Sequence, residues 1–297
     1  MRAWRATISA LWEVVIMLKL LSANFTRLRK SRVFWLGMSV MCGLGIMAVI
    51  MRYFDILEDP NYAYTTADGF WFLGGLYISV VLAVFISLWL GTEYHDGTMR
   101  NKLTVGHTRG EIYAANWLTC TISSLMMHIG YIFMVAVFGT LLLEPFKTPV
   151  RVLVISTLVS LLTVVSMSSV FVMIAMLVSS KSTSAVISMI IALAMLLGSM
   201  TVYSMLTAPE YYENNFQMSV NGEIVQGDPI PNPKYLRGTE REIYQFIQDF
   251  QPAGQMMQFN AGDNFPEHMG RFPVYSLVLA VLMTGIGYSL FRRKDIR

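Results

Sequence analysis

Between Arg32 and Arg52 the chain reads Val33-Phe-Trp-Leu-Gly-Met-Ser-Val-Met-Cys-Gly-Leu-Gly-Ile-Met-Ala-Val-Ile-Met51, nineteen residues without a charge. About 20 apolar residues in a helix span the roughly 30 Å hydrocarbon core of a bilayer. A helix is also one of the few shapes that satisfies its own backbone there. Five further runs share this character: Phe70–Leu90, a run from about Ile112 or Trp117 to Leu143, Val152–Val178, Ser184–Leu206 and Phe272–Phe291. None of the six contains Asp, Glu, Lys or Arg. The expected fold is an all-α membrane protein with six transmembrane helices.

Composition agrees. Of 297 residues, 55% are hydrophobic and 14% charged, against roughly 25% charged in a soluble domain. The missing charges leave the long apolar intervals. Cys42 and Cys120 both lie inside such runs, so they read as small buried side chains and imply no disulfide framework.

Lys and Arg orient the spans. Six crossings put the N-terminus, the 91–111 loop, the 179–183 turn and the C-terminus on one side. That side holds fifteen of the 22 basic residues and five acidic ones, a net charge of +10, and the other side carries −7. The basic side is expected to be cytoplasmic, with both termini inside.

The chain divides by this reading into 1–32, a cytoplasmic interfacial amphipathic helix; 33–206, spans one to five with the 91–111 loop; 207–271, an extracellular loop; and 272–297, the sixth span with a basic tail. Thr7–Leu21 is apolar but interrupted by Glu13 and Lys19. A short seventh span or a signal peptide is the alternative to an interfacial helix, and Met17 is a second candidate start. Leu21, Phe25 and Leu28 share one helical face, with Arg27 and Lys30 expected to point away from it, as in a helix half sunk among headgroups.

Catalytic chemistry finds little support. His128 is the one histidine in the spans, and no carboxylate partners it at helical spacing. Its ordinary reading is a packed or hydrogen-bonded helix residue; a membrane enzyme built on it is the rival. Metal-site, nucleophile-elbow and phosphate-loop motifs are absent from the sequence,. Titratable groups for a proton relay are nearly absent from the spans. Glycines such as Gly43, Gly45, Gly74 and Gly75 read first as close-packing positions. Energy for any transport must then come from another polypeptide.

The loop after the second span is the informative segment: Gly91-Thr-Glu-Tyr-His-Asp-Gly-Thr-Met-Arg-Asn-Lys-Leu-Thr-Val-Gly-His-Thr-Arg-Gly-Glu-Ile-Tyr113. Asp96-Gly97 signals a turn. Thr98 can cap a short helix through Arg100, Lys102 and Leu103. Thr108 and Glu111 form a capping box for the next span. This is the shape of a short helix along the membrane, held by tight turns, that passes a push from a cytoplasmic partner; an ordinary positive-inside loop is the plainer reading.

In the order Glu93, Gly97, Thr98, Arg100, Leu103, Thr108, Arg109, this segment resembles the signature of ABC-2 type ABC transporter permeases, in the branch common in Gram-positive bacteria. Leu21–Arg32, with Phe25, Arg27, Leu28, Arg29, Lys30 and Arg32, resembles that family's interfacial elbow helix. The resemblance implies two permease subunits, identical or paralogous, in a bacterial plasma membrane. Each rests on a separate ABC ATPase subunit that binds ATP and Mg, so this chain carries neither cofactor, metal nor catalytic residue and is no enzyme. It implies contact with membrane lipids and not with nucleic acid. It makes Glu93, Tyr94, Gly97, Thr98, Arg100, Lys102, Leu103 and Arg109 candidates for coupling to the ATPase, with Glu93 and Arg100 foremost for charge pairing.

The 207–271 loop is long enough to have structure of its own. Met218–Val225 reads as a hairpin turning at Asn221-Gly222. Thr239 and Glu242 read as a capping box. Ile243, Phe246, Ile247 and Phe250 repeat as one helical face before Pro252 stops the helix, and this face is expected to bury on the spans or the hairpin. Asn232, Pro233, Tyr235, Gly238, Arg241, Phe246, Pro252 and Gln255 match the same permease branch. The loop reads as a lid or as a recognition surface. The function expected is a permease subunit exporting an amphipathic molecule, such as a peptide antibiotic, lipid or drug. The spans' methionines and serines, Ser166, Ser168 and Ser169 among them, suit bulky amphipathic cargo, although ordinary lipid-facing packing is the favoured reading. The alternative is a non-transporting immunity protein that binds an extracellular peptide through 207–271.

Overall fold

The computed structural model describes residues 17–59, 66–213, 217–220, 223–226, 229–260, 266 and 268–295. The apolar segment before Met17, and with it the seventh-span and signal-peptide readings, lies outside the described residues, as do Asn221 and Gly222.

Among the described residues, six helices are long and apolar enough to cross a membrane. They are α2 (Arg32–Glu58), α3 (Leu73–His95), α5 (Arg109–Leu142), α6 (Val150–Leu177), α7 (Lys181–Leu206) and α10 (Phe272–Arg293). A helix α1 over 17–29 precedes them, and α4 (Thr98–Thr104) joins α3 to α5. The chain is a multi-pass membrane protein with an all-α spanning body.

The ends of these helices show why they start where they do. Ser31 Oγ accepts from Phe34 N at the start of α2, and Ser180 Oγ from Thr183 N at the start of α7. The expected capping box of Thr108 and Glu111 is present at α5. α4 differs from expectation. Its N-cap is Gly97 at φ +67°, and Thr98 is its first helical residue. Gly97 takes the left-handed turn that a Cβ disfavours, and no capping hydroxyl is needed.

α3 and α6 form the centre of the bundle: about two-thirds of the residues in the most apolar stretch of each are buried, against 17% in that of α7. α3 packs on α2, α5, α6 and α7, and α6 on α5 and α10. Small residues permit the closest approaches, as expected of helices in lipid. A Cβ on Gly74 would fall 2.4 Å from the Tyr131 ring, and one on Gly45 2.9 Å from Tyr131 O. Gly43 has open space instead. Hydroxyl contacts line the α5–α6 seam: Thr121–Ser168 at 2.7 Å, Trp117 Nε1 to Ser169 Oγ at 2.9 Å, and His128 Nε2–Ser160 Oγ at 3.0 Å. His128 is a buried packing residue in this seam.

α1, α4 and the C-terminal end of α10 gather at one end of the bundle, called the basic end below. At the opposite end, β1 (Tyr211–Tyr212) pairs with β4 (Ile230–Pro231), and β2 (Gln217–Val220) with β3 (Glu223–Gln226) in the expected hairpin. Two helices follow, α8 (Gly238–Phe250) and α9 (Pro252–Phe259).

α9 enters the bundle, packing against α3, α6 and α7 with Pro252, Gln255, Met256 and Phe259 buried. Gln255 anchors it there. Its Oε1 accepts from Thr163 Oγ1 at 2.7 Å and Ser276 Oγ at 2.9 Å, and its Nε2 donates to Asp249 O at 2.8 Å. Asn232 clips the loop through Pro209 O and Lys234 N, both at 2.9 Å. Pro233 and Gly238 are exposed, and the Arg237 and Arg241 guanidiniums lie 5.6 and 5.7 Å from the Tyr235 ring.

Two expectations fail here. α8 starts at Gly238 with Arg237 as its N-cap and no side-chain capping bond, so Thr239 and Glu242 form no capping box. Of the face expected to bury on the spans or hairpin, Ile243, Phe246 and Ile247 are exposed and Phe250 is half-buried, with Phe246 and Phe250 against Tyr275 of α10; Gln248 and Asp249 are the residues that α8 buries.

Candidate functional site

α3 does not stop at Leu90. It runs to His95 and carries Glu93 on its last turn, so the carboxylate belongs to a helix and not to a loop. That turn is covered by α1, α4 and α5, and Glu93 is completely buried. An isolated buried carboxylate is unstable, and this one is surrounded by donors. Oε1 accepts from Arg27 Nη1 at 2.8 Å and Lys102 Nζ at 3.0 Å. Oε2 accepts from Lys102 Nζ at 3.2 Å and Asn116 Nδ2 at 2.9 Å.

The donors are themselves tied together. Lys102 Nζ also donates to Asn24 Oδ1 at 3.1 Å. Asn24 Nδ2 donates to Asn116 Oδ1 at 3.0 Å and Thr119 Oγ1 at 3.3 Å. The Arg27 guanidinium lies 4.4 Å from the Trp89 ring, one turn before Glu93. Helical spacing makes the cluster possible. Asn24 and Arg27 are three apart on α1, Trp89 and Glu93 four apart on α3, and Asn116 and Thr119 three apart on α5. One carboxylate thus joins four helices, with two cations at short range.

This corrects the expected placement of Arg27, which turns inward to Glu93. The buried face of α1 is Leu20, Asn24 and Leu28, with Phe25 packed partly against the core. Arg29, Lys30 and Arg32 are exposed. Within the loop Glu93 pairs with Lys102, whereas Arg100 is exposed and enters no ion pair among the described residues.

α4 sorts its side chains by helical spacing. Met99, Lys102 and Leu103 face the bundle, and Arg100, Asn101, Thr104 and Val105 face out, Val105 being 79% exposed. A second cluster abuts the first through Tyr94. Tyr94 Oη donates to Met176 O at the end of α6. Lys294 Nζ donates to Tyr94 Oη and Met176 O, both at 3.0 Å. Arg109 donates to Phe291 O at 3.2 Å and to Lys294 O. Burial lowers the Lys294 pKa from its ordinary value to about 8. The ends of α3, α6 and α10 are therefore fastened beside the Glu93 cluster.

Asn24, Asn116, Thr119, Trp89 and Lys294 were not among the sequence candidates. Asn116 had a signal, an amide inside an otherwise apolar run. The outer-loop candidates do not join this site; they lie at the opposite end. No group of three or more His, Cys, Asp or Glu able to hold a metal occurs among the described residues.

The chain matches a family model described as ABC-2 family transporter protein over residues 20–199. That span begins in α1, includes the whole Glu93 cluster and ends in α7. No curated protein matches the chain. The matched segment covers more than half of the sequence, and the chain belongs to the ABC-2 family of transporter proteins, the membrane component of ABC transporters.

Proposed function

We propose that this chain is the permease subunit of an ATP-driven exporter of amphipathic molecules, moved by a separate ATPase subunit that seats α4. The observation that carries this reading is the buried Glu93 carboxylate, which locks α4 to α1, α3 and α5. The outward face of α4, with Arg100, Asn101, Thr104 and Val105, is the surface offered to the ATPase. ATP and Mg are bound on that partner.

A displacement of α4 moves Lys102. The Lys102–Glu93 contacts cannot break cheaply, because opening them leaves charge buried without a partner, at roughly 3–5 kcal/mol. The displacement is therefore passed to α3 and, through Arg27, Asn24 and Asn116, to α1 and α5. The four helices move as a block and open or narrow a path beside it. A second permease, identical or paralogous, completes that path. The basic end faces the cytoplasm of a bacterium, in keeping with the +10 net charge on that side. Lipid contact along the exposed spans and the methionine-rich surfaces suit amphipathic cargo.

The test is reconstitution with the separate ATPase subunit. Arg100→Glu, on the outward face, is expected to leave the chain folded and to abolish cargo-stimulated ATP hydrolysis. Full stimulation in that variant, or a Val105→Cys thiol that reacts from outside intact cells, would overturn the reading.

A further inference from the structure

α8 has its polarity inside out. Gln248 and Asp249 are 0% and 1% exposed, whereas Ile243, Phe246 and Ile247 are 54%, 53% and 42% exposed. The inward polar side is built. Asp249 Oδ1 accepts from Gln245 Nε2 at 2.7 Å and Gln258 Nε2 at 3.1 Å, and Gln248 Nε2 donates to Gly254 O at 3.3 Å. A helix in water does the reverse, since burying large apolar side chains is worth about 1.5–3 kcal/mol each and burying a carboxylate is costly. The arrangement is that of a helix whose outer surroundings are apolar.

The stripe is also continuous with a spanning helix. The Phe246 and Phe250 rings pack on Tyr275 of α10, with centroids 5.8 and 5.9 Å apart. Beside Tyr275, α10 presents Val274, Leu277, Val278 and Val281, between 43% and 69% exposed. On a helix long and apolar enough to cross a membrane, such a face is suited to acyl chains. Tyrosine at the end of a span is the usual occupant of the lipid–water boundary. The charged residues of the first turns of α8 flank this stripe near the start of the helix. Glu240 and Glu242 are exposed, and Arg241 Nη2 donates to Leu206 O at 3.0 Å.

We infer that α8 lies in the boundary of the membrane leaflet at this end, with Ile243, Phe246 and Ile247 against acyl chains, and is not a lid in water. The continuity of this stripe with the exposed apolar face of a spanning helix argues for lipid as its occupant.

The test uses the full chain in phosphatidylcholine nanodiscs, with Cys42 and Cys120 replaced by alanine. Spin labels are attached in turn at Ile243→Cys and Ile247→Cys, with Val281→Cys as the lipid reference and Lys147→Cys, exposed in the α5–α6 connection at the same end, as the water reference. Both α8 positions are expected to match Val281→Cys, relaxing several-fold more with oxygen than with a water-soluble nickel chelate. Nickel accessibility like that of Lys147→Cys overturns the inference in favour of an aqueous lid. Protection from both reagents overturns it in favour of a second copy of the chain. Should the cysteine variants fail to fold, Phe246→Trp in the unaltered chain gives the same decision. Its added emission is expected to be quenched by brominated acyl chains, and unquenched emission counts against lipid contact.

Discussion

Arg27 Nη1 stands 2.8 Å from Glu93 Oε1, and the carboxylate is completely buried while the arginine remains 35% exposed. The contact joins a peripheral helix, α1, to the end of the central helix α3. Lys102 approaches the same oxygen at 3.0 Å from α4. Because one anion serves two cations on two different elements, loosening either cation alters the hold on the other.

Replacing Glu93 by Gln leaves both cations facing an amide. The expected loss is about 3–5 kcal/mol, the range for breaking a buried ion pair from one side. Lys102→Met should cost less, because Arg27 and Asn116 still reach the carboxylate. A double-mutant cycle with the two, followed by thermal unfolding in detergent, measures their coupling. Additive effects would show that Lys102 and Glu93 do not act together.

Glycine positions separate packing from mere composition. A Cβ on Gly254 would meet Gln248 O, a backbone atom, at 2.2 Å, whereas one on Gly43 meets nothing within 4 Å. Gly254→Ala is expected to destabilise the chain by roughly 1–3 kcal/mol, the cost of overpacking. Gly43→Ala should be neutral or slightly stabilising, since alanine favours a helix. Melting temperatures of the two purified variants check this pair.

The apolar runs made the spans legible, because nothing but lipid accommodates six such runs of this length. The structure extends them at their ends. α3 continues past Leu90 because the charge of Glu93 is met by donors from α1, α4 and α5, which no local pattern around Glu93 reveals. The Thr108–Glu111 box was legible because both partners lie within one turn. Lys102 and Arg100 were indistinguishable in sequence, and only the fold of α4 against α1 makes one inward and one outward. Periodicity correctly grouped Ile243, Phe246 and Ile247 on one face of α8. It could not say that the other face would be the buried one, because that depends on Gln248 and Asp249 finding partners at Gly254, Gln245 and Gln258.

Lys294 introduces a pH dependence with a definite sign. Its pKa in the folded chain is lowered to about 8 by burial, against about 10.4 in the unfolded chain. Between these values the unfolded state binds more protons, so folding is favoured increasingly as pH rises through this window. Lys294→Met removes the term. The stability of the wild type relative to Lys294→Met is therefore expected to increase between about pH 8 and pH 10. A difference that stays flat over that range would show that burial does not bias the ammonium.

Gln255 is the polar anchor that holds α9 inside the bundle, so its removal should act on the helix and not only on one bond. Gln255→Leu puts an apolar side chain of similar size in its place and deletes the acceptor for Thr163 and Ser276 and the donor to Asp249 O. Thr163 retains a contact with Val159 O at 3.1 Å, so Ser276 bears more of the loss. Leaving buried polar groups unpaired costs about 1–3 kcal/mol, while the leucine recovers part of this by packing. Ser276→Ala in the same chain should restore some stability, because it removes the hydroxyl that has lost its short hydrogen bond. Hydrogen exchange of the 252–259 amides is the decisive measurement. Faster exchange confined to this segment in Gln255→Leu, and slower again in the double variant, is expected. Unchanged exchange there would mean that apolar contacts of Met256 and Phe259 hold α9 without help from Gln255.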